Sequence, residues 1–443
     1  MATSLRHAAA HTLSAESSTD RYVRAAADAA GYLAGQVESD GYVRAARDYK
    51  YYKPHWIRDS SWIAIALLRY SEFASKSDAD GARYAREAAD RAIGFNIKML
   101  ENHMDNIRNG LGLRFEDPEL YKLNNNLPAR AGKDGRLYND GLMDDRPQAG
   151  FYRSWLMQHD SIPLVLLSMQ EKMRVCGLDE GERRFLRENA GTMLRYLGKA
   201  YLTECSNAWE SESHMLHSYD VGAIHAAFQA AKRFSRSGII DLTERQIDDI
   251  AQAHYAGGPL QFLRDQFVRD GVIYRAKKPL SADPEIGLGV DAAQVFMFTE
   301  FGITGDALGD RRIEDSTIKE LERTRMSKNG STEMLATRFD GDNYFEGGRW
   351  LLLGLAFADY YAHNGRLDRA AEIVDYVIGK YGGSYPEQEL VNPESPGNDR
   401  NGYIARNGGQ PIQDLAWSYA AVVMSCINIV KEGQARKDVP LRR

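Results

Sequence analysis

The stretch Tyr381-Gly-Gly-Ser-Tyr-Pro-Glu-Gln-Glu-Leu390 lies between a helical run and a long loop. Its two glycines and its proline break regular structure at this point. The break places the carboxylate of Glu387 beside Gln388 on a turn. A carboxylate held on a rigid turn at the mouth of a helical scaffold can act as a general base. An ordinary solvated loop glutamate is the alternative interpretation of Glu387.

Helical periodicity extends to both sides of this stretch. Apolar residues recur at intervals of three to four positions, which is typical of amphipathic helices. The predicted helices cover residues 21–37, 59–74, 81–103, 161–174, 180–203, 219–233, 243–267, 290–301, 312–325, 344–363, 366–380 and 412–430. Residues 105–150 and 271–289 are predicted as long loops, which in compact domains are usually functional or disordered. The second loop contains a strand-like segment at 272–275.

This helix count predicts an all-α fold, and twelve helices in sequential hairpins fit an (α/α)6 barrel of two concentric rings. Such a barrel gathers the N-termini of its inner helices and the connecting loops around a pocket at one end. An open α-solenoid is the alternative, but no self-similar repeat is visible. No linker or composition shift divides the chain. We therefore predict one domain over residues 19–432, between an N-terminal tail (1–18) and a C-terminal tail (433–443).

Composition excludes several classes of function for this chain of 443 residues. The net charge of −6, with both signs mixed, provides no basic face for nucleic acid. The three cysteines are far apart and lack a C-x-x-C spacing, which argues against a disulfide framework or a zinc site. The first ten residues lack an apolar run typical of a signal peptide. The longest apolar run, around residues 350–358, is too short to cross a bilayer. We expect a cytoplasmic protein.

Two short stretches place polar residues at predicted helix starts. In the stretch 52–59, the adjacent side chains of Arg58 and Asp59 can donate to and accept from vicinal hydroxyls. A capping aspartate beside a surface arginine is the alternative. In the stretch 154–160, Trp155 and Asp160 are candidates of the same kind; the alternative is a core tryptophan and a helix-capping aspartate, although a capping aspartate can also bind a ligand.

A third stretch, Asn207-Ala-Trp-Glu-Ser-Glu-Ser-His214, places Trp209 beside Glu210. A tryptophan against this carboxylate would desolvate it and raise its pKa, as a general acid requires. An exposed loop glutamate is the alternative. His214 and His217 lack further ligands at metal-site spacing, so structural or surface roles are favoured for them.

Taken together in chain order, these stretches resemble glycoside hydrolase family 15, the glucoamylase-like family. The resemblance covers roughly residues 20–430, and five motifs in sequence order carry it. They are Tyr52 with Trp56, Arg58 and Asp59; Trp209-Glu210; the segment Arg338-Phe-Asp-Gly-Asp-Asn-Tyr344 with Gly347, Gly348 and Trp350; Glu387-Gln388; and Leu415-Ala-Trp-Ser-Tyr-Ala420. Trp155 and Asp160 resemble a weaker element of the same family.

The resemblance implies an (α/α)6 barrel that cleaves terminal α-glucosidic bonds with inversion at the anomeric carbon. An inverting hydrolase requires a carboxylic acid and an opposed carboxylate roughly 6.5–9.5 Å apart, with room for a water. By motif position, Glu210 is implied as the general acid and Glu387 as the general base. Tyr52 is implied to hydrogen-bond the attacking water. No metal or organic cofactor is implied.

The resemblance also implies a pocket for one terminal glucose. Arg58, Asp59 and Arg338 are implied to bind its hydroxyls. The remaining predicted binding residues are Trp56, Trp155, Asp160, Trp209 and Trp417. The expected partner is a small saccharide, without nucleic acid or membrane, and the sequence sets no oligomeric state.

The chain departs from the family pattern around Glu210. Asn207 and Ser211 stand where family members often carry an aspartate and a second glutamate, and Glu212 has the wrong spacing to replace the latter. Without a starch-binding module or secretion signal, a small imported saccharide is favoured over starch. Isomaltose or short isomalto-oligosaccharides rank first, then maltose-type oligosaccharides, then trehalose. This ranking resembles the compact bacterial isomaltose glucohydrolase branch. The role of Glu389 stays open.

Two other classes remain as alternatives to a glucoside hydrolase. A catalytically silent sugar-binding (α/α)6 domain is disfavoured because Tyr52, Glu210 and Glu387 are all retained. An (α/α)6 epimerase or polysaccharide lyase usually relies on His, Tyr or Arg near the substrate. The ten histidines here form no clear constellation.

Overall fold

Six helical segments, widely spaced along the chain, pack side by side into a closed inner ring. In a computed structural model, the residues described are 17–46, 55–112, 130–131, 133, 158–209, 215–277, 289–328, 330–342, 344–390 and 411–437. The ring helices, each packed on the next and the last on the first, are α2 (Ile57–Ala74), α4 (Ser161–Val175), α6 (Ser218–Arg236), α9 (Val295–Thr299), α11 (Leu351–His363) and α13 (Ala416–Lys437). A 3-10 turn, Ala292–Gln294, leads into α9.

The intervening helices form an outer layer around this ring. They are α1 (Ser18–Gln36), α3 (Ala79–Gly112), α5 (Glu180–Ala200), α7 (Glu244–Gln252), α8 (Gly258–Phe267), α10 (Arg311–Arg325) and α12 (Leu367–Tyr381). Helix α1 packs against α13, so the two ends of the described chain meet and close the rings. The chain alternates between outer and inner helices, and the polar residues that precede the inner helices come together at one end.

The composition of each helix explains whether it lies in the inner ring or in the outer layer. Helix α11 is buried on all sides from Leu351 to Ala362, as its predominantly apolar sequence requires, and the buried stretch includes one carboxyl, Asp359. Helix α10 instead buries one stripe, which includes Ile313, Ile318 and Leu321, and exposes charged residues elsewhere. Among the described residues, no helix combines the length and the apolar character needed to cross a membrane.

Short antiparallel strand pairs lie in the segments between the helices. The pairs are β1 (His55–Trp56) with β2 (Arg130–Ala131), β3 (Leu216–His217) with β6 (Ala276–Lys277), β4 (Val268–Arg269) with β5 (Val272–Ile273), β7 (Ser327–Lys328) with β8 (Ser331–Thr332), and β9 (Arg349–Trp350) with β10 (Gln388–Glu389). Strands β1, β3 and β9 each run directly into an inner helix. The pairing therefore fixes the backbone where α2, α6 and α11 begin.

Several predicted helix bounds were wrong. Helix α3 continues to Gly112, so the predicted loop from residue 105 begins later. The single helix predicted over 243–267 is two helices, because Gly257 adopts a left-handed conformation (φ 81°) between them. The segment 344–350 is a 3-10 turn and a strand, and α11 starts only at Leu351. The helix predicted over 412–430 is α13, which begins later, at Ala416, and continues to Lys437.

Candidate active site

Glu387 lies at the end of the barrel where the inner helices begin, on the segment between α12 and α13. Its backbone N–H donates to the carbonyl of Ile412 at 2.8 Å, and its carbonyl accepts from the N–H of Leu351 at 3.3 Å. These bonds attach the segment to the first residue of α11 and to the approach to α13. The side chain is 1% exposed, and its Oε2 accepts a hydrogen bond from the Tyr344 hydroxyl at 3.0 Å. Glu387 is therefore a buried carboxylate with a fixed position.

Arg338 and Asp342 form a buried ion pair beside this carboxylate. The guanidinium donates through Nε and Nη2 to the two oxygens of Asp342, at 2.8 and 2.6 Å. The backbone N–H of Tyr344 donates to the same carboxylate at 3.0 Å. The next residue, Phe345, is buried at a positive φ of 49°, a conformation that costs a bulky residue free energy. Asp342 therefore holds both Arg338 and the backbone that carries Tyr344.

Aromatic rings form the wall next to these polar groups. Trp209 lies 5.2 Å from Trp350 and 6.2 Å from Trp417, measured between ring centroids. Trp417 also stacks on Trp62, at 6.3 Å, in the barrel centre. The Arg338 guanidinium lies over the ring of Trp350 at 4.8 Å and over that of Trp209 at 5.4 Å. Aromatic side chains grouped in this way offer apolar surface on which a sugar ring can pack, and the Arg338 cation lies against two of them.

Asp291 contacts the edge of the Trp209 ring through the indole N–H. The Trp209 indole N–H contacts both carboxylate oxygens of Asp291, at 3.0 and 2.9 Å. Asp291 also caps the turn at 292–294 by accepting from the N–H of Ala293 at 2.8 Å. Burial raises the pKa of Asp291 to about 6, against these hydrogen bonds and the charges of Arg275 and Arg338.

Arg58 and Asp160 form a second buried ion pair, between the starts of α2 and α4. Nε of Arg58 donates to Asp160 at 2.6 Å and Nη2 donates at 3.2 Å, and the two side chains are 3% and 0% exposed. Nη1 donates to the carbonyl of Ala208 at 2.6 Å, one residue before Trp209. Burial and the nearby Asp160 raise the pKa of Asp220 well above its usual range, which favours the neutral form of this second carboxyl.

Glu389, whose role the sequence left open, attaches the Glu387 segment to α12. Its Oε1 accepts from the Tyr376 hydroxyl and from the Lys380 ammonium, each at 2.7 Å, and from the Tyr381 hydroxyl. Burial opposes ionisation, but these three donors lower the pKa of Glu389. Strand β10 also packs tightly on the preceding turn, since a Cβ added at Gly348 would lie 2.8 Å from the carbonyl oxygen of Glu389.

The structure brings most of the described predicted residues to one end of the barrel. Arg338, Trp209, Trp417 and Glu387 are connected by the contacts given above. Trp56 is half-buried just before α2, and Asp59 is buried in its first turn. Asp160 is wholly enclosed against Arg58, so its position supports that arginine. Three predicted residues lie outside the described part of the chain: Tyr52, Trp155 and Glu210.

Four residues of this arrangement were not predicted as site residues. Asp342, Tyr344 and Trp350 lie in or just after the Arg338 segment, which was quoted as a motif but used only for its arginine. Asp291 could have been found from a different pattern in the sequence. Gln294 follows it at the spacing of a capping box, which marks the start of a helix. The site lies where the inner helices start, so a residue that marks such a start is a candidate for the site.

The part of the chain that the structure describes holds no cluster of three or more His, Cys, Asp or Glu side chains arranged for a metal ion. His217 occupies the N-cap position of α6. The other histidine of that stretch, His214, lies outside the described residues.

Comparisons with known proteins found similarity at the level of structure. No protein-family model and no curated protein matches the sequence. A wild-type glycosidase has a TM-score of 0.71 at 20% identity, over 93% of this chain and 97% of that chain. A glycosidase variant in complex with glucose has a TM-score of 0.70 at 19% identity, with the same coverages. The family 15 glucoamylase from Hypocrea jecorina has a TM-score of 0.59 at 15% identity, over 94% of this chain and 73% of that chain.

These similarities confirm the predicted fold. The chain has the all-α (α/α)6 architecture of family 15 glucoamylases, with the two rings described above. Identities this low establish the fold alone, because one fold commonly hosts several activities.

Proposed function

We propose that this protein is an exo-acting hydrolase of α-glucosides that inverts the anomeric carbon. The observation that carries the proposal is the arrangement around Glu387. A buried carboxylate, held by Tyr344, lies with an arginine and a tryptophan wall where the inner helices begin. Structural neighbours that are glycosidases, one of them in complex with glucose, support the same class of reaction.

In the proposed reaction, Glu387 acts as the general base. It takes a proton from a water whose oxygen forms a bond to the anomeric carbon. The bond from that carbon to the glycosidic oxygen breaks, and Glu210 gives its proton to the departing oxygen. The products are β-glucose and the shortened alcohol. Glu387 ends protonated and Glu210 ionised, and solvent restores both. Tyr52 is proposed to bind the attacking water.

The sugar is proposed to bind through the residues near the tryptophan wall. Arg58, Asp59 and Arg338 donate to or accept from its hydroxyls in this proposal. The proposed apolar contacts come from Trp56, Trp155, Trp209 and Trp417. Asp160 contributes by holding Arg58, since each of its oxygens accepts a hydrogen bond from that guanidinium. Such positioned contacts are the means by which a site binds one terminal residue.

Isomaltose and short isomalto-oligosaccharides are the proposed first-ranked substrates, followed by maltose-type oligosaccharides and trehalose. The feature that supports a distinct leaving-group preference is Ser211, which follows Glu210 where the family often carries a second glutamate. A panel of isomaltose, maltose, trehalose and kojibiose at equal concentration tests this ranking. Faster glucose release from maltose than from isomaltose would reverse it.

The catalytic assignment is tested with Glu387→Gln and Glu210→Gln. Each should lower glucose release at least about 100-fold, since each removes a proton-transfer group. Glu244→Gln is the control, because Glu244 lies on the outer helix α7, where its carboxylate pairs with Arg236. The anomeric proton signal of newly released glucose should be that of the β form.

Near-normal turnover by either glutamine variant would reject the assigned pair. Initial release of α-glucose would reject inversion. A wild-type protein that binds glucosides without cleaving them would indicate the silent sugar-binding domain instead.

A further inference from the structure

Asp291 makes the only side-chain hydrogen bond of the Trp209 indole among the described residues. The indole N–H lies 3.0 Å from Oδ1 and 2.9 Å from Oδ2. Asp291 is 6% exposed and starts the inner helical segment 292–299. Its capping duty uses Oδ1, which accepts from the N–H of Ala293. The contact to Trp209 is therefore additional to what the helix start requires.

Besides Asp291, three side chains contact the Trp209 ring. Trp350 and Trp417 pack against the ring, at centroid distances of 5.2 and 6.2 Å. The Arg338 guanidinium lies 5.4 Å from its centroid. Stacking contacts alone let a ring slide or rotate in its plane, whereas a directional hydrogen bond to the indole N–H fixes that rotation.

The backbone before Trp209 is fixed as well. The N–H of Trp209 donates to Oδ1 of Asn207 at 3.1 Å, and Arg58 donates to the carbonyl of Ala208 at 2.6 Å. Adjacent Cα atoms of a trans peptide are about 3.8 Å apart. Whatever fixes Trp209 therefore restricts the position from which residue 210 extends.

We infer that Asp291 is a positioning residue for proton donation by Glu210, acting through the Trp209 indole. This inference rests on the proposed function, in which Glu210 is the general acid. A carboxylic acid displaced by about 1 Å from the leaving oxygen loses much of its catalytic effect. Loss of Asp291 should thus impair the step that protonates the leaving group more than it impairs sugar binding.

Substrates that differ in their need for a proton separate this role from a general loss of structure. Isomaltose or maltose, whichever the wild type cleaves faster, has a leaving oxygen that must be protonated. α-Glucosyl fluoride releases fluoride, which departs as a stable anion without a proton. Water supplies the hydroxyl in both reactions, so only the role of the acid differs. The measured quantity is the ratio of kcat for the disaccharide to kcat for the fluoride.

Three variants and one control complete the experiment. Asp291→Ala removes the acceptor of the indole, and Trp209→Phe removes the donor but keeps an aromatic ring. Asp291→Asn keeps both the helix cap and one acceptor oxygen, so it should restore much of the lost activity. Asp310→Ala is the control, because Asp310 caps α10 through the N–H of Arg312 without contacting the site.

We expect Asp291→Ala to lower kcat for the disaccharide about 10-fold or more, with less than about 3-fold loss on the fluoride and little change in KM. Trp209→Phe should act in the same direction, and the double variant should be less than additive, because both remove one interaction. An equal loss on both substrates, or no loss on either, would overturn the inference while leaving the proposed function intact. Failure of the wild type to cleave any α-glucoside would overturn both.

Discussion

The Tyr344 hydroxyl donates a hydrogen bond of 3.0 Å to Oε2 of Glu387, across 43 positions of sequence. Tyr344 reaches this point because its backbone N–H is held by Asp342, which also binds Arg338. The carboxylate proposed as general base is thus attached, through one tyrosine, to the arginine proposed to bind the sugar. Changes on the 338–344 segment should consequently affect both catalysis and binding.

Replacing Tyr344 by Phe removes this hydrogen bond and keeps the aromatic ring. A hydrogen bond to a charged group contributes about 1.5–3 kcal/mol. We expect kcat for the preferred disaccharide to fall roughly 10- to 100-fold, with a smaller change in KM, in steady-state assays of glucose release. Tyr84→Phe is the matched control, since Tyr84 is 47% exposed on an outer helix. Unchanged kcat in Tyr344→Phe would show that this bond does not orient the base.

Replacing Glu389 by Ala should loosen the segment that carries Glu387. Glu389 accepts hydrogen bonds from Tyr376, Lys380 and Tyr381, which attach the segment to α12. We expect kcat/KM to fall about 10-fold or more, and the backbone amides of 387–390 to exchange hydrogen faster. Glu372→Ala, an exposed glutamate of the same helix, should leave both unchanged. Faster exchange without loss of activity would show that the hydrogen bonds of Glu389 hold the segment but are not needed for catalysis.

Replacing Asp160 and Asp220 one at a time should have unequal effects. Asp160→Asn leaves Arg58 buried without its ionised partner, and breaking a buried ion pair costs about 3–5 kcal/mol. Burial raises the pKa of Asp220 and so favours the neutral carboxyl, which asparagine resembles, and we therefore expect Asp220→Asn to cost less than about 1.5 kcal/mol. Urea unfolding followed by circular dichroism measures both values. Equal losses would indicate that Asp220 is ionised in the native protein.

Asp359 should make the stability of the protein depend on pH. Burial, with repulsion from Glu300, raises the pKa of Asp359 to about 7, despite hydrogen bonds from Asn428 and Ser425 and the charge of Arg69. In the unfolded chain the pKa of an aspartate is about 3.9. A raised pKa means that the stabilisation is complete below about pH 4 and is lost as the pH rises through about 7.

Asp359→Asn keeps this position neutral at every pH. We therefore expect the thermal midpoint of the variant to rise relative to that of the wild type between about pH 4 and pH 8. The exposed Asp368→Asn is the control and should follow the wild type. A constant difference between Asp359→Asn and the wild type across this range would contradict a pKa near 7 for Asp359.

Local sequence signals predicted the all-α class and most inner helices, because periodicity and capping act within a few residues. The predicted starts of α2 and α4 lie within two residues of the observed ones. The error at 243–267 has a local cause, since Gly257 at positive φ divides an apolar periodic run into two helices. The error at 344–350 has a tertiary cause, because β9 pairs with β10 there and delays the start of α11.

The sequence by itself determined the order of the helices and the segments that carry the candidate chemistry. Only the tertiary structure decided which side chains meet, because closing the inner ring brings together residues that are far apart in sequence. Asp160 could be interpreted as a sugar ligand or as a cap. It occupies the N-cap position of α4, but its carboxylate makes no cap hydrogen bond and contacts Arg58, 102 residues away. Asp291 gave only a capping signal, yet it lies against Trp209 through a contact that spans 82 residues. Side-chain partners of this kind depend on ring closure, and no local pattern encodes them.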